Sequence, residues 1–571
     1  MCGFVCVVNR RKQFKKEVQN IPPDLLEHRG PDYSEELVYK NVSYRHWRLS
    51  IVDLSTNSNQ PIFKNNKIFV YNGEIYDYLK IGKSYNIQEE GDTKLVFHML
   101  NKEDGFEKIR SSAGFYSFLL HDLKANNIFG SRDKFGKKPL FYYLDSEKAI
   151  FSSEEIGILN LLNEYSVNMD AIGEYLLYKN RFFGKSCFNK INEIAPGAFF
   201  NFNIIDWEIN HSYGWHSYYD NDIRNFYNNG VSKKINFNEE LFSQHLSNAV
   251  LKRINCDVPV QIALSGGIDS STITSIALQS KASGNVLRTL TVGFNKGIDE
   301  SCEAKYISDY FKIDNKKILF EDGNIFEYLL KSVSAMNAPL DHPHALAYFI
   351  LCKEAKKRGK VLITGEGADE IFFGYDHYKN FKGQSFAFRE FLNYHDNLFF
   401  CKSTKEENLL FSIIRENSNI MDYRSKAKSS PYSSRDMEMK THLLSLLQRN
   451  DKMSMANSVE IRSPFLEPKI IEMSLNAKNQ NFVKNKKDFI RTIFNSHESI
   501  NINSPKNGFR VPIDDNIEYI KNHKLAKNYI TIASDKIKSY YGYDLINRQN
   551  LSPRLIWSLI NIGCFLELYD N

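Results

Sequence analysis

Short apolar runs punctuate the first two hundred residues. FVCVV, KIFVYNGEIY, FYSFLLHDL, NIFGSRD, PLFYYL and AIFSSE are aromatic or β-branched and are bounded by Asn, Asp and Gly, the signature of strands joined by turns. One segment, GDTKLVFHMLNK, has the 3.6-residue period of a helix instead. The pattern predicts an α+β unit of packed antiparallel sheets flanked by helices over residues 2–201. Residues 202–236, which include DWEINHSYGWHSYYDNDIRNFYNNGVSKKIN, are rich in Asn, Asp, Ser and Tyr with little periodicity and read as a linker.

From Phe237 the pattern changes to helix alternating with buried strand: EELFSQHLSNAVLKRI, VPVQIALS, SSTITSIALQSKA, LRTLTVGF and GKVLITGEG follow in that order. The strands QIAL and VLIT are continuously apolar, as expected for a parallel sheet covered on both faces. After Lys440 the chain reads as mostly helical. Residues 237–571 therefore form a second, α/β domain with a helical C-terminal part.

Length supports the division, since 571 residues exceed what one hydrophobic core usually supports. A hydrophobic fraction of 42% with 25% charged residues is that of a globular protein. Lys and Arg (74) exceed Asp and Glu (68) by six, and the excess is not gathered into one block, so no nucleic-acid partner is indicated. No apolar stretch approaches the roughly 18 residues of a membrane helix. CGFVCVV is too short for a signal peptide and lacks a cationic stretch before it. A cytoplasmic location without membrane contact is expected. Eight cysteines (Cys2, Cys6, Cys187, Cys256, Cys302, Cys352, Cys401, Cys564) are scattered without a C-x-x-C pair, which suggests neither a disulfide framework nor a zinc knuckle. Cys2 stands apart. Trimming of Met1 would leave one residue carrying both a thiol and a free α-amino group.

Phosphate chemistry shows in the second domain. ALSGGIDSSTIT follows an expected strand and opens an expected helix, so backbone N–H groups and the positive helix end would face an anion. No G-x-x-x-x-G-K-[ST] string occurs, which removes the Walker A reading. The loop resembles instead the SGG-x-DS loop of ATP pyrophosphatases, matched by Ser265, Gly266, Gly267, Asp269, Ser270 and Ser271. A second acidic loop, TGEGADE at 364–370, also follows an apolar strand and would emerge at the same carboxyl edge of the sheet. Asp269 and Asp369 are the metal candidates, as hard oxygen donors for Mg²⁺ against pyrophosphate.

Both halves together resemble the glutamine-dependent asparagine synthetases along almost the whole chain. The resemblance rests on MCGF, HRGPD (28–32), HWRLSIVDL (46–54), YNGEIYD (71–77), EGDTKLV (90–96), RDKFGKKPLFY (132–142), SGGIDSS, TGEGADE, DKMSMANSVEIRSPFL (451–466) and SPKNGFRVPI (504–513). It implies an N-terminal-nucleophile, class II glutaminase domain followed by an ATP pyrophosphatase-type synthetase domain. Cys2 would be the nucleophile, as thiolate, with its own α-amine as the neighbouring base. The side chain of Asn72 and the backbone of Gly73 would stabilise the oxyanion. Arg48 would pair with the glutamine carboxylate, Glu74 and Asp92 would help read its ammonium, and Leu49, Ser50, Ile51 and Val52 complete the implied glutamine site. Leu264, Val292, Thr364 and Gly365 would line the ATP pocket, Glu366 would be the general base of the ammonia step, and Lys487 would neutralise charge during adenylation. A tunnel for ammonia between the halves is implied too. Dimers are common in that family, so a homodimer is the assembly the resemblance suggests. A Cys-His-Glu triad on a G-x-C-x-G elbow, the competing glutaminase design, is missing, since neither GKSCF nor NIGCF supplies the final glycine.

The expected small-molecule substrates are glutamine, ATP and a carboxylate. Aspartate is the default acceptor. PLDHPHALAY places His342 and His344 before the TGEGADE strand, and Arg510 stands where that family commonly has glycine. These residues keep open a larger anionic acceptor, such as a uronic-acid sugar. A decayed relative that closes a ring with an internal amine would have lost Cys2, Arg48, Asn72, Gly73 or Asp92. All five are present.

Overall fold

The computed structural model describes residues 2–10, 20–87, 91–179, 185–212, 237–280, 283–295, 299–372, 374, 405–417, 442–476, 488–497, 511, 513–545 and 551–570. The first half is built from β1 (Cys2–Asn9), β2 (Tyr33–Tyr39), β3 (Val42–Arg48), β4 (Ile62–Lys64), β5 (Lys67–Ile75), β6 (Gly114–Asp122), β7 (Asn127–Arg132), β8 (Phe141–Leu144), β9 (Lys148–Ser152), β10 (Ile191–Glu193), β11 (Phe199–Asn203) and β12 (Glu208–Ser212). They form two six-stranded antiparallel sheets, in the orders β10-β8-β9-β1-β3-β2 and β12-β11-β7-β6-β5-β4.

The opening run is continuously apolar because β1 is buried on both faces. Phe4, Cys6 and Val8 point between the two sheets, among Tyr44, Ile68, Val70, Leu119, Phe151 and Phe200. Val5 and Val7 point the other way, into a core that holds Trp47, Ile150 and Ile172 and continues to Leu559 and Ile562 on the last helix, Pro553–Tyr569. Alternate residues of one strand thus serve two cores.

In the second half, β13 (Val260–Ala263), β14 (Val286–Phe294), β15 (Asn315–Phe320), β16 (Val361–Ile363) and β17 (Glu460–Arg462) form a wholly parallel sheet in the order β15-β14-β13-β16-β17. The chain runs outward from β13 through β14 to β15, then returns to the other side of β13 for β16. The order therefore reverses between β13 and β16, the place where open α/β sheets leave a crevice for ligands. SGGIDSS leaves the end of β13 and TGEGADE the end of β16.

The segment read as a linker begins with ordered strand. β12 pairs with β11 from Phe199↔Ser212 to Asn203↔Glu208, so the first unit continues to Ser212; residues 213–236 lie outside the described residues. Strand ladders satisfy the backbone there, which a reading from polar composition misses.

The halves share buried charge as well as buried apolar surface. Arg29 Nη1 meets Glu154 at 2.6 Å and Nη2 meets Asp451 at 2.9 Å. Lys138 meets the other oxygen of Asp451 at 3.2 Å, and Lys452 meets Glu155 at 2.5 Å. Breaking such a pair costs about 3–5 kcal/mol. Lys452→Met should therefore lower the thermal unfolding midpoint, and Lys452→Met combined with Glu155→Leu should recover most of the loss. An unchanged midpoint in the single variant would show that the pair does not hold the halves.

Candidate functional site

Register brings the N-terminal residues together. β1 pairs with β3 so that Cys2 opposes Arg48, and the Cys2 N–H donates to Asn72 Oδ1 on β5 at 3.1 Å. Trimming of Met1 would make that nitrogen the α-amine. With Oδ1 engaged, the Asn72 amide is fixed so that Nδ2, buried and without a partner among the described residues, stays available to an oxyanion. Gly73 follows in β5. A Cβ there would lie 2.3 Å from Phe115 O, so the close pairing of β5 with β6 leaves no room for a side chain.

Burial would raise the Cys2 thiol, but the positive chain terminus, His46 and the Leu49 N–H outweigh it and lower the thiol to about 6. Cys6, four residues along the same strand, has burial without those cations and is raised far above its ordinary range. His46 was not singled out by sequence reasoning. It belongs to HWRLSIVDL, but only the pairing of β3 with β1 sets it beside the thiol.

Arg48 is buried and anchored more fully than a waiting fork would be. Its Nη1 donates to Ser55 O (2.6 Å) and Asn59 Oδ1 (2.7 Å), and its Nη2 to Asp53 O. These bonds fold residues 53–59 around the guanidinium. Asp53 has φ +55°, and its own N–H donates to Asp257 of the second half at 2.7 Å. Asp257 N–H in turn donates to Ile51 O at 3.1 Å. Ser50 N–H reaches Asp32 at 2.7 Å, and Lys360 bridges Asp32 (2.7 Å) and Ser50 O (3.4 Å). Leu49 and Ile51 pack in a core with Phe242 and Leu264, and Val52 lies against it. The implied glutamine loop is thus clamped from both halves.

Asp92 begins the helix Asp92–Met99. One of its oxygens accepts from Tyr71 Oη (2.8 Å) and the Ile75 N–H (3.0 Å), while burial raises its carboxyl above the usual range. Glu74 points across the interface to the guanidinium of Arg462.

At the edge of the parallel sheet the phosphate-loop residues fold on themselves. The Ser265 N–H donates to Ser270 Oγ (3.2 Å), the Gly267 N–H to Ser265 Oγ (3.2 Å), and Ser270 Oγ and Ser271 Oγ to Gly267 O (3.1 and 2.9 Å). Gly266 has φ +81°, and a Cβ there would lie 2.5 Å from Glu303 Cβ, so the turn admits only glycine. Asp269 sits in the first turn of the helix Ile268–Gln279. The TGEGADE loop lies against it, since a Cβ on Gly365 would be 3.2 Å from Asp269 Cβ. Leu264 and Val292 are buried, with the Leu264 N–H on Leu290 O at 2.9 Å. The Thr364 N–H donates to Arg462 O at 2.9 Å. Asp369 lies on the short helix Ala368–Phe372.

Beside this edge, Tyr348 Oη donates to Glu366 Oε1. Burial and the Glu366 charge hold the tyrosine well above its usual range, so it remains a donor. Arg449 stacks over the Tyr348 ring at 5.4 Å and meets Asp341 at 3.2 Å. His342 Nδ1 accepts from the His344 N–H at 3.2 Å, and the two rings lie 4.0 Å apart where the helix His344–Ala355 begins. Lys487 and Arg510 lie outside the described residues. No helix among the described residues is long and apolar enough to cross a membrane.

Comparison with known proteins adds independent findings. A family model described as "Glutamine amidotransferase domain" matches residues 1–214, and one described as "Asparagine synthase" matches residues 241–549. A Methanocaldococcus jannaschii protein assigned to the glutamine-hydrolyzing asparagine synthetases is 31% identical over 410 residues, 66% of this chain and 76% of that protein. Asparagine synthetase [glutamine-hydrolyzing] 1 of Bacillus subtilis is 27% identical over 542 residues, covering 85% and 82%. Amidase chyE of Penicillium rubens is 28% identical over 381 residues, covering 62% and 54%.

The thiol assignment gives a direct expectation. A thiol lowered to about 6 is mostly thiolate above that pH and loses nucleophilicity below it. Alkylation of Cys2 by iodoacetamide, followed by peptide mass spectrometry, should rise as pH is raised through about 6 while Cys6 stays unmodified. His46→Ala should move the midpoint upward. A Cys2 profile centred near 8.5, the range of an ordinary thiol, would refute the electrostatic account.

Proposed function

The chain belongs to the asparagine synthase family and carries a glutamine amidotransferase domain before the synthase domain, and from that premise we propose that it converts L-aspartate to L-asparagine with glutamine as nitrogen donor. It is an ATP-dependent, glutamine-hydrolysing ligase of the asparagine synthetase type with small-molecule substrates. What carries the reading of the first half is the bond from the Cys2 nitrogen to Asn72 Oδ1. It sets base, nucleophile and oxyanion donor on three adjoining groups.

In this reading the Cys2 thiolate, its proton already held by the α-amine, attacks the glutamine side-chain carbonyl. Asn72 Nδ2 and the Gly73 N–H receive the oxyanion, and removal of one such donor typically costs about 10²–10³ in rate. The amine returns the proton to the leaving ammonia, and water then hydrolyses the thioester to glutamate. Arg48 holds the carboxylate of the substrate, and Glu74 and Asp92 its ammonium, with Leu49, Ser50, Ile51 and Val52 as the loop over it.

In the second half an oxygen of the acceptor carboxylate attacks the α-phosphorus of ATP, and pyrophosphate leaves. Ser265, Gly266, Gly267, Ser270 and Ser271 cradle its phosphates, while Leu264, Val292, Thr364 and Gly365 bound the nucleotide. The donor set fits Mg²⁺: Asp269 Oδ1 and Asp369 Oδ1 are hard carboxylate oxygens shielded from solvent. Magnesium characteristically takes one or two carboxylates plus phosphate oxygens, and bound to these two it would offset the charge of the departing pyrophosphate. Ammonia then attacks the acyl carbon, Glu366 takes its proton and AMP departs. Lys487, by family likeness, neutralises charge in the preceding adenylation step.

Aspartate is favoured because His342 already has a local task, accepting the His344 N–H at the start of a helix. That removes part of the reason to look for a larger sugar acid.

Pyrophosphate release with ATP, Mg²⁺ and glutamine should depend on aspartate and match asparagine formation. Release with a uronic acid and not with aspartate would overturn the acceptor assignment. Cys2→Ala should abolish glutamine-dependent synthesis and retain the ammonia-dependent reaction; persistence of the former would refute the nucleophile. Asp269→Asn should stop pyrophosphate release with either nitrogen source, and a rate near wild type would refute the metal ligand.

A further inference from the structure

Every contact so far described for Glu74 that carries charge comes from the other half of the chain. Arg462, fully buried on β17, extends one nitrogen to each of three acceptors: Nη2 to Glu74 Oε2, Nε to Glu460 Oε1 at 2.6 Å, and Nη1 to Arg253 O at 2.6 Å. Tyr76 lies under this fork, with the Arg462 guanidinium 5.5 Å and the Arg253 guanidinium 4.4 Å from its ring centroid. A guanidinium held at all three nitrogens cannot rotate, and neither can the carboxylate it grips.

Glu74 needs such a grip. It is 7% exposed, and its carboxyl stands well above the usual range: burial pushes it up, Arg462 offsets that only in part, and Glu460, which also hydrogen-bonds it, and Asp92 push it up further. Two buried carboxyls side by side do not both ionise without a cation between them. A carboxyl that reads an ammonium must be aimed at it.

We infer that Arg462 is a positioning residue of the glutamine site, supplied by the synthetase half, which fixes Glu74 through Oε2 so that its other oxygen faces the α-ammonium of glutamine. The glutamine site is then incomplete without β17. This rests on the reading of Glu74 given above. It accords with the clamp of Asp257 and Lys360 on the glutamine loop, and it explains why the cation is arginine: a lysine ammonium is a single point of charge and cannot hold Glu74, Glu460 and a carbonyl at fixed angles.

The test uses the full-length protein and two substrates, glutamine and 4-carbamoylbutanoate, which is glutamine without its ammonium. Glutamate or glutarate release gives the glutaminase parameters, and ammonia-dependent pyrophosphate release reports the synthetase half of the same preparation. Arg462→Met should raise the KM for glutamine about tenfold to a hundredfold, the usual weight of a charge-assisted contact, with kcat changed little. It should leave the kcat/KM for 4-carbamoylbutanoate within about threefold. Arg462→Lys should give a smaller rise of the same selectivity, and serves alone if the methionine variant does not fold. Adding Arg462→Met to Glu74→Gln should change the KM for glutamine little further.

Equal losses with both substrates would overturn the inference, since a structural role does not distinguish them. If Glu74→Gln raises the KM for glutamine while both Arg462 variants leave it unchanged, Arg462 is excluded and the reading of Glu74 stands. If Glu74→Gln leaves the KM unchanged, the ammonium reading itself falls, and the inference with it.

Discussion

A buried guanidinium must be surrounded by acceptors, and Arg29 draws its acceptors from both halves of the chain. Its Nε donates to Cys2 O at 3.0 Å, one terminal nitrogen meets Glu154 and the other meets Asp451. The opposing charges raise the guanidinium pKa in spite of burial. Lys138 with Asp451, Lys452 with Glu155 and Arg462 with Glu74 repeat the arrangement. Displacing one half would strand several charges away from water, an expense of several kcal/mol per ion. The halves therefore have few alternative dockings, and the backbone of Cys2 is tied through Arg29 to the second half.

That constraint explains how a strand end can hold a reactive thiol. Terminal residues normally fray, yet Cys2 is 7% exposed because β1 lies between β3 and β9 with a core on each face. The Arg29 contact to its carbonyl and the Asn72 contact to its nitrogen hold the two backbone atoms that flank the side chain. Rigidity comes from packing and reactivity from local charge, and the two do not compete because the cations lie on the walls of the site.

The edge of the parallel sheet follows a different logic. There the left-handed Gly266 turn leads into the helix Ile268–Gln279, and carboxylates come from two loops that adjoin because β13 and β16 are neighbours. β17 extends the sheet beyond β16, so the Arg462 carbonyl that accepts the Thr364 N–H and the guanidinium that grips Glu74 belong to one residue. The TGEGADE loop and the Glu74 carboxylate share a strand as their support.

The sequence by itself determined the elements and the local chemistry. Continuous apolar runs marked the buried strands, the 3.6 period marked Asp92–Met99, the alternation of helix with strand marked Glu239–Ile254, and ordered motifs named Cys2, Asn72, SGGIDSS and TGEGADE as candidates. These signals were legible because each depends on neighbours within a few residues: a turn, a cap, a strand beside a loop. Polar composition misplaced the end of the first unit, since ladder bonds between β11 and β12 were invisible in it. His46 beside the thiol, Tyr348 on Glu366, and Arg462 on Glu74 were decided only by tertiary structure. The last pair is 388 residues apart, and no local pattern encodes which buried cation will meet which buried carboxylate. That choice is made when whole sheets dock, because a charge buried on one surface is tolerable only where the opposite surface supplies its partner.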